Sequence, residues 1–399
     1  MRSPLMALLL CLPMAGCDQL QFQALRAYMA VNDNITAAAA PTAIASAGQT
    51  YYASAVVEDL EFPWDFAFIS ANEVLITEKP GRLQRINLSS GERQLISGTP
   101  EVLFKGQGGL QGIELHPDFA NNQWLYLSYS AEVGDKRHTT HLMRARLSAN
   151  ALVDAEVVFI AQPARAGFNH WGAALEFGAD GKLYMSVGDR QERKYAQQLD
   201  AHLGKILRLD DDGSAPPDNP FVGSPNALPE IYSYGHRNPQ GLARHPRSGE
   251  LWESEHGPQG GDEINIIRAG LNYGWPVITF GEEYGGGTIG KTEAAGMVQP
   301  IHYYVPSIAT GGIGFYHGNA LDAWQDNLFV TGLRATLIER LSIDADQVIT
   351  TERLLDDLTQ RWRAVKTGPD GLLYALAENG TLVRISASEQ TSIAAIVQQ

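Results

Sequence analysis

Six copies of one pattern constrain the fold of this chain more than any other sequence feature. In each copy, a short apolar segment leads through a turn with Asp, Asn or Gly into a second apolar segment that ends in small or charged residues. The pairs of segments are 64–68 with 74–77, 110–115 with 124–127, 173–177 with 183–187, 240–243 with 250–253, 312–316 with 327–330, and 363–365 with 372–376. Such repeats are typical of four-stranded blades around a central axis. The sequence therefore predicts an all-β fold, a six-bladed β-propeller.

Further segments support this fold. The alternating segments 82–86 and 381–385 fit the outer half of a blade. A β-sandwich or two stacked domains would be the alternative, but neither explains six similar turns such as 179–182 and 368–371. In a propeller, loops at one end of the central channel bring residues from all blades together. We therefore expect a functional site whose residues are dispersed along the sequence.

Composition limits the possible partners. The 399 residues are 44% hydrophobic and 19% charged, which allows a large core, and the 40 glycines fit a turn-rich protein. The formal net charge of −15 argues against nucleic acid as a partner, because phosphate binding needs a basic surface. An anionic ligand would have to meet a local cluster of arginines.

The N-terminus predicts export. Arg2 precedes an apolar run at 5–14 that is too short to span a bilayer, and two small residues precede Cys17. This segment resembles a bacterial lipobox, although Met14 stands where leucine is usual. We expect residues 1–17 to be a lipoprotein-type signal peptide, with membrane contact only through lipid on Cys17 and a periplasmic location. Ordinary signal cleavage or an uncleaved anchor is the alternative.

Composition also sets the expected boundaries. Residues 18–50 are rich in Ala, Thr and Ser and lack apolar periodicity, so they are predicted to be a flexible tether. The propeller is expected to span 51–386, and residues 387–399 to form a C-terminal tail.

Two polar segments predict a site built on loops. Residues 234–242 (YGHRNPQGL) and 255–265 (EHGPQGGDEIN) place too many polar groups between glycines and prolines to form a core strand. Together with 169–172 (NHWG), they resemble the soluble quinoprotein aldose dehydrogenases of the glucose/sorbosone dehydrogenase family, which use pyrroloquinoline quinone (PQQ) and calcium. The resemblance extends over 62–371 and includes, in order, the motifs at 77–82, 106–112, 116–119, 187–189 and 270–276.

The reaction that this resemblance implies needs a base. Oxidising a sugar hemiacetal to a lactone removes the hydroxyl proton and a hydride from the same carbon, and histidine suits the first task near neutral pH. The resemblance places His170 at the family's base position, and Asp189 matches the carboxylate that orients its ring. The alternative for a loop histidine next to Trp171 is a packed or exposed structural residue.

The hydride acceptor must be a cofactor, because no side chain can accept a hydride. No Gly-x-Gly-x-x-Gly turn between a strand and a helix indicates nicotinamide. PQQ carries three carboxylates, for which Arg334, Arg361 and Arg363 are suitable anchors. Residues 361 and 363 would point to one face of a strand. The alternative for any single arginine is a solvated surface charge.

The resemblance implies further cofactor contacts. Arg237 and Asn238 would lie against the quinone, where Arg237 would stabilise developing charge. Gln107 and Ser307 match additional polar contacts with the cofactor.

The resemblance also implies two calcium positions. One ion would be held at the quinone by the carbonyls of Gly257 and Pro258, and a second, structural ion by Glu263 and the backbone of Tyr273. Two departures from the family pattern, Ala174 in place of a frequent arginine and His256 in place of glutamine, put substrate preference in doubt.

The partners expected are an aldose and a periplasmic electron acceptor of unknown identity. Two readings from other classes stay open at this stage. One is a calcium-dependent propeller lactonase, which would centre its metal on Glu, Asn and Asp side chains. The other is a non-catalytic glycan-binding lipoprotein.

Overall fold

The computed structural model describes residues 44–46 and 49–388. The predicted signal peptide with Cys17, most of the predicted tether and all but the first two residues of the predicted tail lie outside these residues. Within the described part, the chain forms six antiparallel sheets, and the prediction of a six-bladed β-propeller is confirmed.

Each of the first five sheets is built from four consecutive strands. Blade 1 contains β3 (Pro63–Ser70), β4 (Glu73–Glu78), β5 (Arg82–Asn87) and β6 (Arg93–Ile96), and blade 2 contains β7 (Leu110–Leu115), β8 (Trp124–Gly134), β9 (Arg137–Ser148) and β10 (Ala151–Ile160). Blade 3 contains β11 (Gly172–Phe177), β12 (Leu183–Val187), β13 (Lys205–Leu209) and β14 (Ile231–Tyr234), and blade 4 contains β15 (Pro239–Arg244), β16 (Leu251–Glu255), β17 (Asp262–Ile267) and β18 (His302–Tyr304). Blade 5 contains β19 (Thr310–Phe315), β20 (Leu328–Gly332), β21 (Leu337–Asp344) and β22 (Gln347–Leu354).

Blade 6 joins the two ends of the described chain. It contains β23 (Trp362–Thr367), β24 (Leu373–Ala377) and β25 (Leu382–Ser386), and β2 (Gln49–Val57) pairs with β25 while β1 (Ile44–Ser46) pairs with β2. Folded structure therefore begins before residue 51, the predicted boundary. The pairing partner lies more than 300 residues away, and the ring of Tyr51 packs 5.2 Å from that of Trp324, so local composition does not reveal this strand.

The first strand of each blade is its inner strand. The inner strands β3, β7, β11, β15, β19 and β23 contact one another in sequence, and β23 contacts β3, so the ring is closed. The core consists of apolar layers between neighbouring blades, such as the layer of Tyr126, Phe177 and Met185 between blades 2 and 3. Helical structure in the described residues is short: α1 (Phe119–Asn122) and the 3-10 segments Arg193–Gln197, Asp322–Trp324 and Asp356–Leu358. None of these helices is long and apolar enough to cross a membrane.

Every inner strand has an irregularity in its pairing close to its start. The register with the second strand shifts at Pro63/Asp65, Leu110/Ile113, Gly172/Leu175, Pro239/Gly241, Thr310/Ile313 and Trp362/Ala364. Such bulges bend a strand and redirect its side chains, and they are frequent at rims and next to sites. Because the pairing is antiparallel, the loop before each inner strand and the loop after each second strand lie at one end of the propeller. We call this end the upper rim.

Candidate active site

The upper rim carries most of the predicted site residues. In loops before inner strands lie Gln107, His170, Arg237, Asn238, Ser307 and Arg361, and in loops after second strands lie Asp189, Gly257, Pro258 and Arg334. Arg363 lies in the bulged start of β23, Glu263 is in β17, and Tyr273 is in the loop after β17. A site dispersed over five blades is thus brought to one end of the fold.

His170 is held by a buried carboxylate. Its Nδ1 lies 2.7 Å from Oδ1 of Asp189, and Oδ2 of Asp189 accepts a hydrogen bond from the indole Nε1–H of Trp275 at 2.8 Å. Asp189 Oδ1 also accepts the backbone N–H of Gln191 at 2.8 Å. An ionised carboxylate can only accept hydrogen bonds, so Nδ1 carries the proton and Nε2 is left as the basic nitrogen of the ring.

The pKa values of this pair favour a neutral histidine beside a charged aspartate. Burial lowers the pKa of His170, with smaller contributions from the positive charges of Arg237 and Arg190, while Asp189 acts in the opposite direction. Burial by itself would raise the pKa of Asp189. Its hydrogen bond with His170 and the charge of Arg237 nevertheless hold the pKa of Asp189 below its usual value. At neutral pH, His170 is therefore ready to accept a proton.

The backbone at His170 is unusual. His170 has a φ of 54°, in the left-handed region that is uncommon for residues with a side chain. Its N–H donates to Oε1 of Gln107 at 2.8 Å. A Cβ at Gly188 would lie 2.3 Å from the carbonyl oxygen of His170, so only glycine fits there. The loop of blade 2 and the turn after β12 thus fix the position of this histidine.

Arg237 and Asn238 lie in the loop before β15 and form their contacts next to His170. The backbone N–H of Arg237 donates to Oε2 of Glu255, and its guanidinium donates to the carbonyl of His256 at 2.9 Å and lies 5.4 Å from the ring of Trp275. Asn238 Oδ1 accepts the N–H of Gly172 at 3.2 Å. Both side chains are buried beside the loop that carries His170.

A cationic cluster forms the blade 6 side of the site. Glu378 accepts hydrogen bonds from Nε of Arg361, at 2.6 Å, and from Arg363, whose other terminal nitrogen donates to Oε1 of Gln240 at 2.8 Å. Burial by itself would raise the pKa of Glu378, but the two guanidinium groups hold it far below its usual range. Burial lowers the pKa of Lys79 to about 8, and Glu378, Arg363 and Arg361 all act on this amine. Two arginines thus bind one carboxylate, and a third cation, Lys79, lies within electrostatic reach of it.

His256 links the two halves of the site. Its Nε2 lies 3.0 Å from Oε1 of Gln240, the oxygen that also binds Arg363. Burial lowers the pKa of His256 well below its usual range, and the positive charges of Arg363 and Arg237 lower it further. His256 is therefore neutral, and it lies within electrostatic reach of both the base and the cationic cluster.

The predicted calcium residues meet at a small cavity next to this site. Gly257, Glu263 and Tyr273 line it together with Arg237, Glu255, His256, Gly261, Trp275, Ile278 and Thr279. Burial and the nearby charge of Glu255 raise the pKa of Glu263 well above its usual range. Residues expected at both calcium positions therefore line one cavity. Pro258 is the expected residue that does not line it.

Comparison with known proteins identifies the family of this chain. A sequence profile described as "Glucose / Sorbosone dehydrogenase" matches residues 60–384. Aldose sugar dehydrogenase YliI of Escherichia coli (strain K12) is 40% identical over 353 residues, which are 86% of this chain and 95% of that protein. The apo-form crystal structure of the soluble aldose sugar dehydrogenase from Escherichia coli matches with a TM-score of 0.82 and 39% identity, over 85% of this chain and 100% of that one. The PQQ-bound aldose sugar dehydrogenase from Streptomyces coelicolor matches with a TM-score of 0.71 and 26% identity, over 87% and 99%.

The chain belongs to the glucose/sorbosone dehydrogenase family. The relatives described above are named as dehydrogenases, which are oxidoreductases. The family predicted from the sequence motifs is confirmed.

Ser307 and Arg334, two of the predicted cofactor contacts, have surroundings that the sequence did not predict. The hydroxyl of Ser307 is within 2.9 Å of both carboxylate oxygens of Asp262, which also accepts the N–H of Gly257. Ser307 thus orders the loop of Gly257. The side chain of Arg334 is exposed, while the neighbouring carbonyl of Leu333 accepts a hydrogen bond from Arg361 at 3.0 Å.

No role was predicted for Glu378, Lys79, Gln240 or Trp275, although the motifs at 77–82, 234–242 and 270–276 contain the last three. The positions of Glu378 and Lys79 in the repeat could have indicated a role. Each directly follows the second strand of its blade, as His256 does. Glu378 is the only acidic partner that the described residues offer to both Arg361 and Arg363.

The pKa of His170 can be measured directly. A pH titration followed by histidine NMR should give a value below the reference of about 6.5. The Asp189→Asn variant should titrate at still lower pH, because it removes the hydrogen bond and the charge that raise the pKa. Asp212→Asn, in an exposed turn, serves as the control and should leave the titration unchanged. An unchanged or higher value in Asp189→Asn would contradict the coupling described above.

Proposed function

We propose that this protein is a periplasmic quinoprotein dehydrogenase that oxidises the C1 hydroxyl of aldoses to lactones, with PQQ and calcium as cofactors. One observation carries the proposal. A histidine base oriented by a buried carboxylate and the arginines of a cationic cluster both lie within electrostatic reach of His256. The PQQ-bound relative supports the cofactor, and the names of the relatives support an aldose as substrate.

The cationic cluster suits an anionic ligand. Lys79, Arg361 and Arg363 face a single carboxylate, and Nε of Arg363 is buried without a hydrogen-bond acceptor among the described residues. A ligand with several carboxylates would compensate this charge. In this proposal Arg361, Arg363 and Lys79 hold the carboxylates of PQQ.

Bound PQQ supplies the acceptor for the hydride. The residues of the chain supply the proton chemistry and the electrostatics. Nε2 of His170 takes up the hydroxyl proton, and Asp189 stabilises the resulting imidazolium through Nδ1. Arg237 provides a fixed positive charge where negative charge develops, and Trp275 keeps Asp189 in place through its indole N–H.

Calcium fits the neighbouring cavity. Glu255, Glu263, Gly257 and Tyr273 are among the residues that line it, and their carboxylate and backbone carbonyl oxygens would hold the ion. Hard oxygen ligands of this kind are those that calcium prefers. Binding of the ion would favour the charged form of Glu263, whose pKa is raised by burial, and would order the loop that begins at Gly257.

We further propose that lipid on Cys17 attaches the protein to a bacterial membrane. The small residues Ala15 and Gly16 before Cys17, and the apolar run before them, support this location. The electron acceptor would then be a periplasmic component near that membrane.

Aldose oxidation is tested with an artificial dye. The purified protein should reduce the dye with aldoses only after addition of PQQ and calcium. His170→Gln should lower turnover by about 10²–10⁴-fold at saturating PQQ, because the general base is lost. Near-full turnover of this variant would show that another group is the base. Hydrolysis of a lactone with calcium alone, without dye reduction, would favour the lactonase reading instead.

Cofactor anchoring is tested by comparing two arginines. Arg361→Ala should raise the PQQ concentration needed for half-maximal reconstitution, with a smaller change in the saturated rate, because a carboxylate partner is lost. Arg334→Ala is the matched control: the side chain of Arg334 is exposed, so a smaller effect is expected. Equal PQQ requirements in Arg361→Ala and the unmodified protein would contradict the assigned anchor.

Membrane attachment is tested at Cys17. When the full chain is expressed in a Gram-negative host, Cys17→Ala should move the active protein from the membrane fraction to the soluble fraction. Cys11→Ala lies within the expected signal peptide and should leave the protein in the membrane fraction. Unchanged partitioning of Cys17→Ala would reject lipidation of this residue.

A further inference from the structure

We propose a further metal site in blade 4, formed by His236, Glu253 and Glu255, which binds a divalent transition-metal ion of the Zn²⁺ type. One ligand atom from each of these three residues lies within 4.8 Å of the others. The site shares Glu255 with the lining of the calcium cavity, whereas His236 and Glu253 do not line that cavity, and it does not depend on the dehydrogenase activity.

The cluster is enclosed by the protein. His236 and Glu253 have no exposed surface, and Glu255 is 4% exposed. Oε1 of Glu253 has no hydrogen-bond partner among the described residues, and within residues 49–388 no lysine or arginine forms an ion pair with Glu253 or Glu255. A buried carboxylate oxygen without a partner is costly, whereas a bound cation would satisfy it.

The strand register sets this arrangement. Glu253 and Glu255 are two residues apart on β16, so both side chains point to the same face of the blade. They pair across to Asn265 and Glu263 on β17. His236, in the loop before β15, reaches the cluster from the side of blade 3, with its Nδ1 3.3 Å from Oε1 of Glu255.

The second nitrogen of His236 has the partner that a metal-bound histidine needs. Nε2 lies 2.8 Å from the hydroxyl of Ser233. A serine hydroxyl can donate or accept, so Nε2–H can donate to Ser233 when Nδ1 binds a metal. Histidine ligands are usually oriented by such a hydrogen bond from the other ring nitrogen.

The ligand set favours a small transition-metal ion over calcium. Calcium takes six to eight oxygen ligands, whereas this closed cluster offers one imidazole nitrogen and two carboxylates. Zinc accepts this mixture in a four-coordinate geometry. The two carboxylates and a neutral imidazole would also balance the double positive charge.

A hydrogen-bond donor separates this site from Glu263. Nδ2 of Asn265 lies 3.1 Å from Oε2 of Glu253 and 3.4 Å from Oε2 of Glu263. The oxygen of Glu253 that has no partner is the other one, Oε1. Glu253 can therefore bind an ion through Oε1 while Glu263 contributes to the neighbouring cavity.

The ion would stabilise the loop that carries Arg237. His236 directly precedes Arg237, and the backbone N–H of Arg237 donates to Oε2 of Glu255. An ion that joins His236 to Glu255 would hold both ends of this contact. We therefore expect metal binding to raise thermal stability even when no PQQ is present.

The experiment uses the full chain, stripped with a chelator and free of PQQ. Zn²⁺ is added, free metal is removed by gel filtration, and bound metal and the melting temperature Tm are measured. Co²⁺ replaces Zn²⁺ in a parallel sample, because its visible spectrum reports coordination by nitrogen and oxygen in a four-coordinate site. Ca²⁺ is the third arm. Glu253→Gln is compared with Glu263→Gln and with Glu92→Gln, an exposed control.

We expect one tightly bound Zn²⁺ per chain, a higher Tm and a four-coordinate Co²⁺ spectrum. Glu253→Gln should bind Zn²⁺ at least 10-fold more weakly, while Glu263→Gln and Glu92→Gln should retain it. Undiminished Zn²⁺ binding by Glu253→Gln would overturn the proposal. So would the absence of a four-coordinate Co²⁺ spectrum in the unmodified protein, a result that does not depend on how any variant folds. Protection by Ca²⁺ but not by Zn²⁺ would equally reject the transition-metal assignment.

Discussion

Closure of the ring by the pairing of β2 with β25 is the constraint on which the rest of the structure depends. The six inner strands contact one another around the axis, so the position of each blade depends on both neighbours. Without β2, the third strand of blade 6 would have an open edge and Trp324 would lose the packing of Tyr51. The upper rim would then lose the fixed spacing between blade 6, with its cationic cluster, and blade 3, with its histidine.

A carboxylate at the end of a second strand positions the functional groups in four of the blades. Asp189 orients His170 in blade 3, Glu255 holds the backbone of Arg237 before blade 4, and Glu378 binds both arginines of blade 6. In blade 1, Glu78 in the same position accepts the N–H of Glu61 and binds Arg82. Charge-assisted hydrogen bonds of this kind are stronger than neutral ones, so they fix the loops that precede the inner strands. The propeller thus uses one device several times, and the partner that it holds decides the chemistry of each blade.

The fold could be predicted because its signal repeats: six apolar pairs with similar turns leave few alternatives. His170 and Asp189 could be predicted from the short motifs that contain them, and the structure brings the two together. Glu378 and Gln240 could not, because their roles come from contacts across 15 and 123 residues with Arg363 that no local pattern records. The strand residues before position 51 could not be predicted for the same reason, since β2 pairs with a strand near the other end of the described chain.

The charge of the cationic cluster is opposite in sign to the net charge of the chain. The chain as a whole carries a net charge of −15, which repels anions at long range. In the cationic cluster the local charge is positive, because Lys79, Arg361 and Arg363 outnumber Glu378. Burial makes that reversal strong, since the low dielectric constant of the interior reduces screening. An anion that contacts several of these cations at once would therefore be favoured there despite the negative charge of the whole chain. Burial also lowers the pKa of His170, so the low dielectric constant that strengthens the cationic cluster also favours the neutral form of this histidine.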